Sequence, residues 1–192
     1  MSTPRILAFA GSARKDSYNG RLVQIAAEGA RNAGAEVTLL DLKDFPLPVF
    51  DEDLEREGTP ENALKLKELF LGHDGLLISC PEYNSSITPL LKNTIDWVSR
   101  SAEGESPLAA YQGKVATLMA ASPGGLGGQR GLVHVRAILS SIGVIVLPGQ
   151  IAVPRAFEAF DDKGQLNDEK QQARIQGLGA QLAEVLEKLG KE

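Results

Sequence analysis

At 192 residues, of which 43% are hydrophobic, the chain is long enough for one compact domain and short for two. The balance of 20 Lys and Arg against 25 Asp and Glu gives a net charge of −5 without any basic block, so nucleic acid and anionic membranes are not expected partners. The apolar runs fall far short of the ~20 residues that cross a bilayer, and the first residues lack the pattern of a secretory signal. We therefore expect a single cytoplasmic domain over residues 1–192, without a membrane-spanning segment.

Short apolar runs alternate along the chain with longer segments of helical period. The runs predict strands over residues 6–10, 37–40, 75–79, 115–120 and 144–147. The helical periods predict helices over residues 19–33, 60–71, 89–99, 127–142 and 167–189. Between the second strand and the second helix, a stretch rich in proline and charge predicts an irregular excursion.

This alternation is typical of an α/β protein in which helices cover both faces of a parallel sheet. We predict a three-layer, doubly wound parallel sheet of five strands in the order 2-1-3-4-5. In such a sheet, ligands bind beyond the carboxyl ends of the strands, at the switch point between the first and third strands. The loops after the first, third and fourth strands are therefore the expected place for chemistry.

The loop after the first strand, residues 11–19, is rich in hydroxyl groups and leads directly into a helix. Such a turn suits a phosphate, because free backbone N–H groups point at it and an arginine adds charge-assisted hydrogen bonds. The alternative is an ordinary turn in which Ser17 or Asn19 merely caps the helix. The loop contains neither G-x-G-x-x-G nor a P-loop, so a monophosphate is a better candidate than NAD or ATP.

Two further loops could contact a planar ring. Residues 81–86 after the third strand combine backbone amides with an aromatic side chain, although a simple proline turn with Tyr83 and Trp97 as packing residues is the alternative. Residues 122–130 after the fourth strand contain four glycines, which permit a close approach of backbone to ligand but also suit a flexible connection.

Together these loops resemble the NAD(P)H-dependent FMN reductases, a family that includes quinone, azo-dye and chromate reductases. The resemblance is carried by G-S-x-R-x-x-S-x-N at residues 11–19, P-E-Y-N at 81–84, L-K-N-x-I-D-W at 91–97 and the glycine-rich loop at 122–128. It implies a flavodoxin-like fold, noncovalent FMN, and electron transfer from NADPH or NADH to a small-molecule acceptor.

The resemblance also implies which residues bind the cofactor. Ser12, Arg14, Ser17 and Asn19 hold the FMN phosphate, with Tyr18 also in the cofactor site; Pro81, Glu82, Tyr83 and Asn84 line the flavin ring; and Ser122, Gly124 and Gly125 lie near its pyrimidine edge. No catalytic side chain or metal site is expected, because hydride chemistry resides in the flavin itself. The lone Cys80 is expected to be a core residue.

A homodimer or homotetramer is expected from the resemblance. A second reason is that Phe45, Leu47, Val49 and Phe50 place apolar side chains in the irregular excursion, where an exposed patch would mark a contact.

Two other functions remain open from the sequence. Asp41 ends the second strand, where a Rossmann domain binds the adenosine ribose, so a dehydrogenase without flavin is one alternative; the missing glycines after the first strand argue against it. A non-catalytic flavodoxin-like electron carrier is the other. Such carriers usually show a hydroxyl-rich phosphate loop without the cation that Arg14 supplies here.

Overall fold

The described residues, 3–102 and 104–190 of a computed structural model, form one sheet of five parallel strands. The strands are β1 (Arg5–Ala10), β2 (Glu36–Leu40), β3 (Gly75–Ser79), β4 (Val115–Ala121) and β5 (Ile145–Val153). Their order, β2-β1-β3-β4-β5, confirms the predicted flavodoxin-like topology. The two ends of the predicted 1–192 domain lie outside the described residues.

Helices lie between the strands and after the last one. They are α1 (Tyr18–Asn32), α2 (Glu52–Glu57), α3 (Glu61–Leu71), α4 (Pro89–Val98), α5 (Gln129–Ser141), α6 (Ala156–Ala159) and α7 (Glu169–Leu189), with a 3₁₀ turn at Leu42–Asp44. In the part of the chain that the structure describes, no helix is both long and apolar enough to span a membrane.

Both faces of the three central strands, β1, β3 and β4, are buried, as their continuous apolar runs predict. Ile6 and Ala8 of β1 point into one core with α1 and α7, whereas Leu7 and Phe9 point into a second core with α3, α4 and α5. Side chains alternate between the faces because successive residues of a strand point in opposite directions. The sheet is therefore the middle of three layers.

The fifth strand is longer than predicted. Residues 144–147 were expected to form it, but β5 continues through Pro148 and Gly149 to Val153. Ala116 of β4 pairs with Val146, but Leu118 pairs with Gln150. The segment of β5 between these pairs is therefore two residues longer than that of β4 and forms a bulge. Proline is tolerated there because β5 is an edge strand.

The excursion after β2 is held against α4, which corrects one expectation. The Asn93 side chain accepts from Phe50 N and donates to Pro48 O, both at 2.8 Å, and Trp97 Nε1 also donates to Pro48 O. The Phe50 ring packs edge-on against Trp97.

Two other apolar residues of the excursion, Phe45 and Leu47, pack partly buried on the core. Of the four residues expected in an exposed patch, only Val49 is widely exposed. The expectation of an exposed apolar patch in the excursion is therefore wrong, because α4 and the core cover most of these side chains.

Helices α1 and α7 approach closely through two glycines. A Cβ atom at Gly179 would overlap the carbonyl oxygen of Ala26, and one at Gly29 would overlap that of Gln176. The two helix backbones are therefore in direct contact and leave no room for a side chain at either position, so Gly29 and Gly179 fix how α7 lies on α1.

Helix α7 contains a second glycine, Gly177, and alanine at Gly177 and at Gly179 should change the stability of the protein in opposite directions. We expect Gly179→Ala to lower the free energy of unfolding by roughly 1–3 kcal/mol or more, because one helix must shift. Gly177→Ala, with nothing within 4 Å of its Cβ position, should raise it by up to about 1 kcal/mol through helix propensity. Urea unfolding of both variants measures the difference, and a stable Gly179→Ala protein would contradict the close packing.

Candidate functional site

The loops after β1, β3 and β4 meet at the carboxyl edge of the sheet around a cavity of about 270 Å³. Most of the predicted site residues line it: Ser12, Arg14, Ser17, Tyr18, Asn19, Pro81, Glu82, Tyr83 and Ser122, together with Ala121 and Pro123. Asn84, Gly124 and Gly125 are not among the lining residues. The fold thus brings together three loops that are far apart in the sequence.

The buried side chain of Asn19 connects these loops. Its amide oxygen accepts from the Ser79 hydroxyl and from Ala121 N, both at 2.9 Å, and its amide nitrogen donates to Ala121 O at 2.8 Å. One side chain at the start of α1 therefore holds the ends of β3 and β4. The phosphate contact that the resemblance implies stays a prediction, and the structure adds a positioning role.

The start of α1 is open to an anion. Ser17 is the N-cap residue, but its hydroxyl makes no capping hydrogen bond within the described structure, and the first turn carries no acidic residue. The first N–H groups of a helix have no intrahelical acceptors, so here they are free to bind a negative group.

Arg14 adds a cation beside this helix start. Its guanidinium lies 5.3 Å from the centroid of the Tyr18 ring, which in turn stacks on Phe160. Among residues 3–102 and 104–190, no carboxylate forms an ion pair with Arg14. The positive charge at the helix start is therefore not neutralised by the protein.

The loop after β3 is a small hairpin that the sequence analysis did not predict. Glu82–Tyr83 pairs with Ser86–Ile87, and the two turn residues Asn84 and Ser85 have φ angles of 49° and 68°. Two left-handed residues in succession make the tight turn that suits antiparallel strands, and asparagine tolerates that conformation. Asn84 is therefore suited to this position by the left-handed backbone that the turn requires. Its predicted contact with the flavin stays a prediction.

The carboxylate of Glu82 is bound to the start of α5. It accepts from Arg130 N at 2.9 Å, from Gly131 N at 3.1 Å, and from the Arg130 guanidinium at 2.6 and 2.9 Å. Burial by itself raises the pKa of Glu82, but these hydrogen bonds and the Arg130 charge hold that pKa below its ordinary value. Glu82 thus fixes the hairpin on α5 as an anion, and Arg130 is a site residue that sequence reasoning missed.

The glycines after β4 fall into two groups. Gly127 and Gly128 have positive φ. A Cβ atom at Gly127 would lie 2.8 Å from Pro154 N, and one at Gly128 would lie 2.8 Å from Ala120 Cβ, so protein packing requires glycine at both positions. At Gly125 nothing lies within 4 Å, and at Gly124 only the Ser122 hydroxyl does, at 3.7 Å. These two glycines are exposed, and the packing of the described chain does not require glycine at either position.

Thr88 is a second residue that the sequence did not single out. Its buried hydroxyl donates to Gly11 O at 2.7 Å and accepts from Leu91 N at 3.2 Å, so it caps α4 while holding the first loop. A threonine before a proline at a helix start is a recognisable cap signal. Its bond to the first loop has no such signal.

Other reactive side chains lie outside this arrangement. Burial raises the pKa of the Cys80 thiol, which sits in the core as expected. His134 pairs with the Ser86 hydroxyl at 2.9 Å on the outside of the hairpin. Within the described ranges no group of His, Cys, Asp and Glu could hold a metal ion.

The region that carries the three loops is similar to known proteins. The family described as NADPH-dependent FMN reductase matches residues 4–158. An NAD(P)H-dependent FMN reductase of Pseudomonas aeruginosa is 35% identical over 173 residues, which cover 90% of this chain and 89% of that protein. An NAD(P)H:quinone oxidoreductase of Solanum tuberosum is 34% identical over 184 residues, which cover 91% of this chain and 88% of that protein.

A solved structure is similar over the same extent. FerB, a flavoenzyme NAD(P)H:(acceptor) oxidoreductase of Paracoccus denitrificans, superposes with a TM-score of 0.82 at 29% identity. The match covers 97% of this chain and 98% of the FerB chain.

The Glu82 anion should stabilise the fold with a defined pH dependence. We expect Glu82→Gln to lower the free energy of unfolding at pH 7 by roughly 1.5–3 kcal/mol, because charge-assisted hydrogen bonds are lost. The folded-state pKa is depressed, so this difference persists above the ordinary pKa of 4.5 and shrinks as the pH falls below it.

Denaturant unfolding between pH 3 and pH 8 measures this dependence. Glu61→Gln is the control, since Glu61 forms an exposed i,i+4 pair with Lys65 and its removal should change little. A difference for Glu82→Gln that grows toward acid pH would contradict the assigned role.

Proposed function

The chain belongs to the NADPH-dependent FMN reductase family, and from that premise we propose that it carries electrons from NAD(P)H to quinones through FMN held by the three loops. As a member it is an oxidoreductase with FMN as its cofactor and NAD(P)H as its electron donor. Family membership also removes the two alternatives left by the sequence, the dehydrogenase without flavin and the non-catalytic carrier.

The residues of the site fit a flavin phosphate. The observation that carries this proposal is the unneutralised Arg14 charge beside an α1 start that Ser17 leaves uncapped. In our proposal the phosphate binds there, with Ser12, Ser17 and Tyr18 around it. Charge-assisted hydrogen bonds of this kind are about twice as strong as neutral ones.

The other two loops suit the ring of the cofactor. We place Pro81, Tyr83 and the hairpin backbone along the ring, and Ser122, Gly124 and Gly125 at its pyrimidine edge. The unfilled space at Gly124 and Gly125 supports this, because glycine permits the backbone to come close to a ligand.

Bound FMN supplies the chemistry of accepting a hydride from NAD(P)H and passing electrons on. The chain supplies binding and orientation. Glu82 is the only carboxylate among the residues lining the cavity, and Arg130 keeps it ionised, so it does not exchange protons near neutral pH. Neither histidine nor cysteine lines the cavity. We therefore assign no protein side chain as acid or base.

The acceptor is proposed from the openness of the site and from its relatives. Tyr83, at the mouth of the cavity, is 55% exposed, which leaves a flat aromatic surface beside an accessible ring. The relative from Solanum tuberosum is an NAD(P)H:quinone oxidoreductase, and quinones are the proposed acceptors here. Azo compounds, free flavins and metal oxyanions such as chromate are proposed as further acceptors. The homodimer or homotetramer and the cytoplasmic location stay predictions.

Two properties of the purified protein test the function. We expect a yellow protein from which denaturation releases FMN, and NAD(P)H oxidation with a quinone that gives the parallel double-reciprocal lines of a ping-pong cycle. A colourless protein that gains no activity when FMN is supplied would overturn the proposal.

The phosphate position is tested by Arg14→Ala. Loss of a charge-assisted hydrogen bond of roughly 1.5–3 kcal/mol should weaken FMN binding about tenfold to hundredfold. Asp41→Ala is the control, because the Asp41 carboxylate is engaged by Lys43 and does not line the 270 Å³ cavity. Fluorescence titration of FMN measures both, and wild-type affinity in Arg14→Ala would refute the assigned phosphate contact.

A further inference from the structure

The segment that connects β5 to α7 lies against two of the three loops of the site. At its start, Arg155 N and Ala156 N donate to carbonyl oxygens of the loop after β4, at 3.3 and 3.1 Å. Further along, the Phe160 ring stacks on the Tyr18 ring at the start of α1, with 5.8 Å between the ring centroids and 17° between the planes. This connection is therefore a fourth segment that contacts the site loops, and the sequence analysis did not predict it.

Phe160 is held in a closed turn. Its backbone pairs with that of Leu166 in an antiparallel bridge, and its side chain is buried in the core formed with α1 and α7. Within the turn, the Asp161 carboxylate accepts from two backbone N–H groups, at 2.9 and 2.8 Å. Asn167 N closes the turn by donating to Ala159 O at 2.9 Å. The position of the Phe160 ring is therefore fixed by the turn and by the core.

The Tyr18 ring contacts both Phe160 and Arg14. The Arg14 guanidinium lies 5.3 Å from the ring centroid, within the ~6 Å over which a cation and an aromatic face attract each other. In the part of the chain that the structure describes, the guanidinium makes one hydrogen bond, to Lys15 O at 3.2 Å, and no ion pair. The orientation of this exposed guanidinium therefore depends on the Tyr18 ring.

We propose that Phe160 is a positioning residue for the FMN phosphate and that it acts on Arg14 through Tyr18. The inference rests on the proposed function, because it takes the phosphate to bind at Arg14. Stacking on Phe160 orients the Tyr18 ring, and the face of that ring holds the guanidinium beside the start of α1 before the phosphate binds.

A side chain that is already oriented loses less conformational freedom when its ligand binds, and this raises the affinity. Phe160 does not line the 270 Å³ cavity. Its effect on FMN is therefore indirect and is confined to the phosphate end of the cofactor.

Phe160→Leu tests this role, because it removes the stacked ring and keeps an apolar side chain in the turn. We expect FMN binding to weaken by about threefold to tenfold, since the Tyr18 ring and the guanidinium lose their fixed orientation. Riboflavin has the same ring system and no phosphate, so it should bind to Phe160→Leu and to the wild type equally well. Fluorescence titration with each flavin measures the two affinities.

Two further variants serve as controls. Phe157→Leu should bind both flavins like the wild type, because Phe157 lies in the same segment, is 57% exposed and makes no ring contact within the described residues. Phe160→Tyr keeps the stacked ring and should retain the FMN affinity of the wild type. If Phe160→Leu does not fold, Phe160→Met, which also lacks a ring, takes its place in the titrations.

The double variant Arg14→Ala/Phe160→Leu tests whether the effect passes through Arg14. Without the guanidinium there is nothing left for the Tyr18 ring to orient. Phe160→Leu should therefore cause no further loss of FMN affinity in the Arg14→Ala protein, and the two single effects should not add.

Three results would overturn the inference. They are wild-type FMN affinity in Phe160→Leu, an equal loss of FMN and riboflavin affinity, which would indicate a purely structural role, and a full further loss of FMN affinity in the double variant. Failure of the wild-type protein to bind FMN is a different result and contradicts the proposed function instead.

Discussion

The hydrogen bonds of the Asn19 amide are the constraint on which the rest of the site depends. Parallel strands leave their carboxyl ends as separate loops, and only a contact between elements can fix those loops relative to one another. Asn19 makes that contact from the start of α1 to Ser79 at the end of β3 and to Ala121 at the end of β4. Because the groups are buried, each one left unpaired would cost about 1–3 kcal/mol. The same residue therefore places the helix start that faces the phosphate and the strand ends that face the ring.

Further long-range bonds complete this frame. Thr88 holds the first loop to α4, and Glu82 holds the hairpin to α5. These bonds satisfy polar groups around the site, whereas the start of α1 has no side-chain cap, the Arg14 charge has no carboxylate partner among the described residues, and the space at Gly124 and Gly125 is open. Those are the features that an anionic, planar cofactor would complete. In this account, catalytic power comes from the cofactor and its placement, and no side chain of the cavity moves a proton.

The sequence predicted the sheet well because its central strands are apolar on both faces and its main helices carry clear periods. It missed features that depend on exceptions to those patterns. Proline and glycine at 148–149 hid the length of β5, and the irregular excursion expected after β2 contains the short helix α2, which Asp51 caps. The three loops were predicted from their residue types, but Arg130 and Thr88 were not. Their contacts join residues 48 and 77 positions apart, and local patterns carry no information about such pairs.

Amide hydrogen exchange at Ala121 in the FMN-free protein tests most directly whether the site is held in place before the cofactor binds. Ala121 N donates to Asn19 Oδ1, so local opening of that bond exposes this amide to exchange. The account predicts strong protection of Ala121 in the FMN-free wild type and exchange faster by about tenfold or more in Asn19→Ala, beyond any change at Leu118 in the middle of β4. An Ala121 amide that is unprotected until FMN is added, or that exchanges equally slowly in Asn19→Ala, would contradict it.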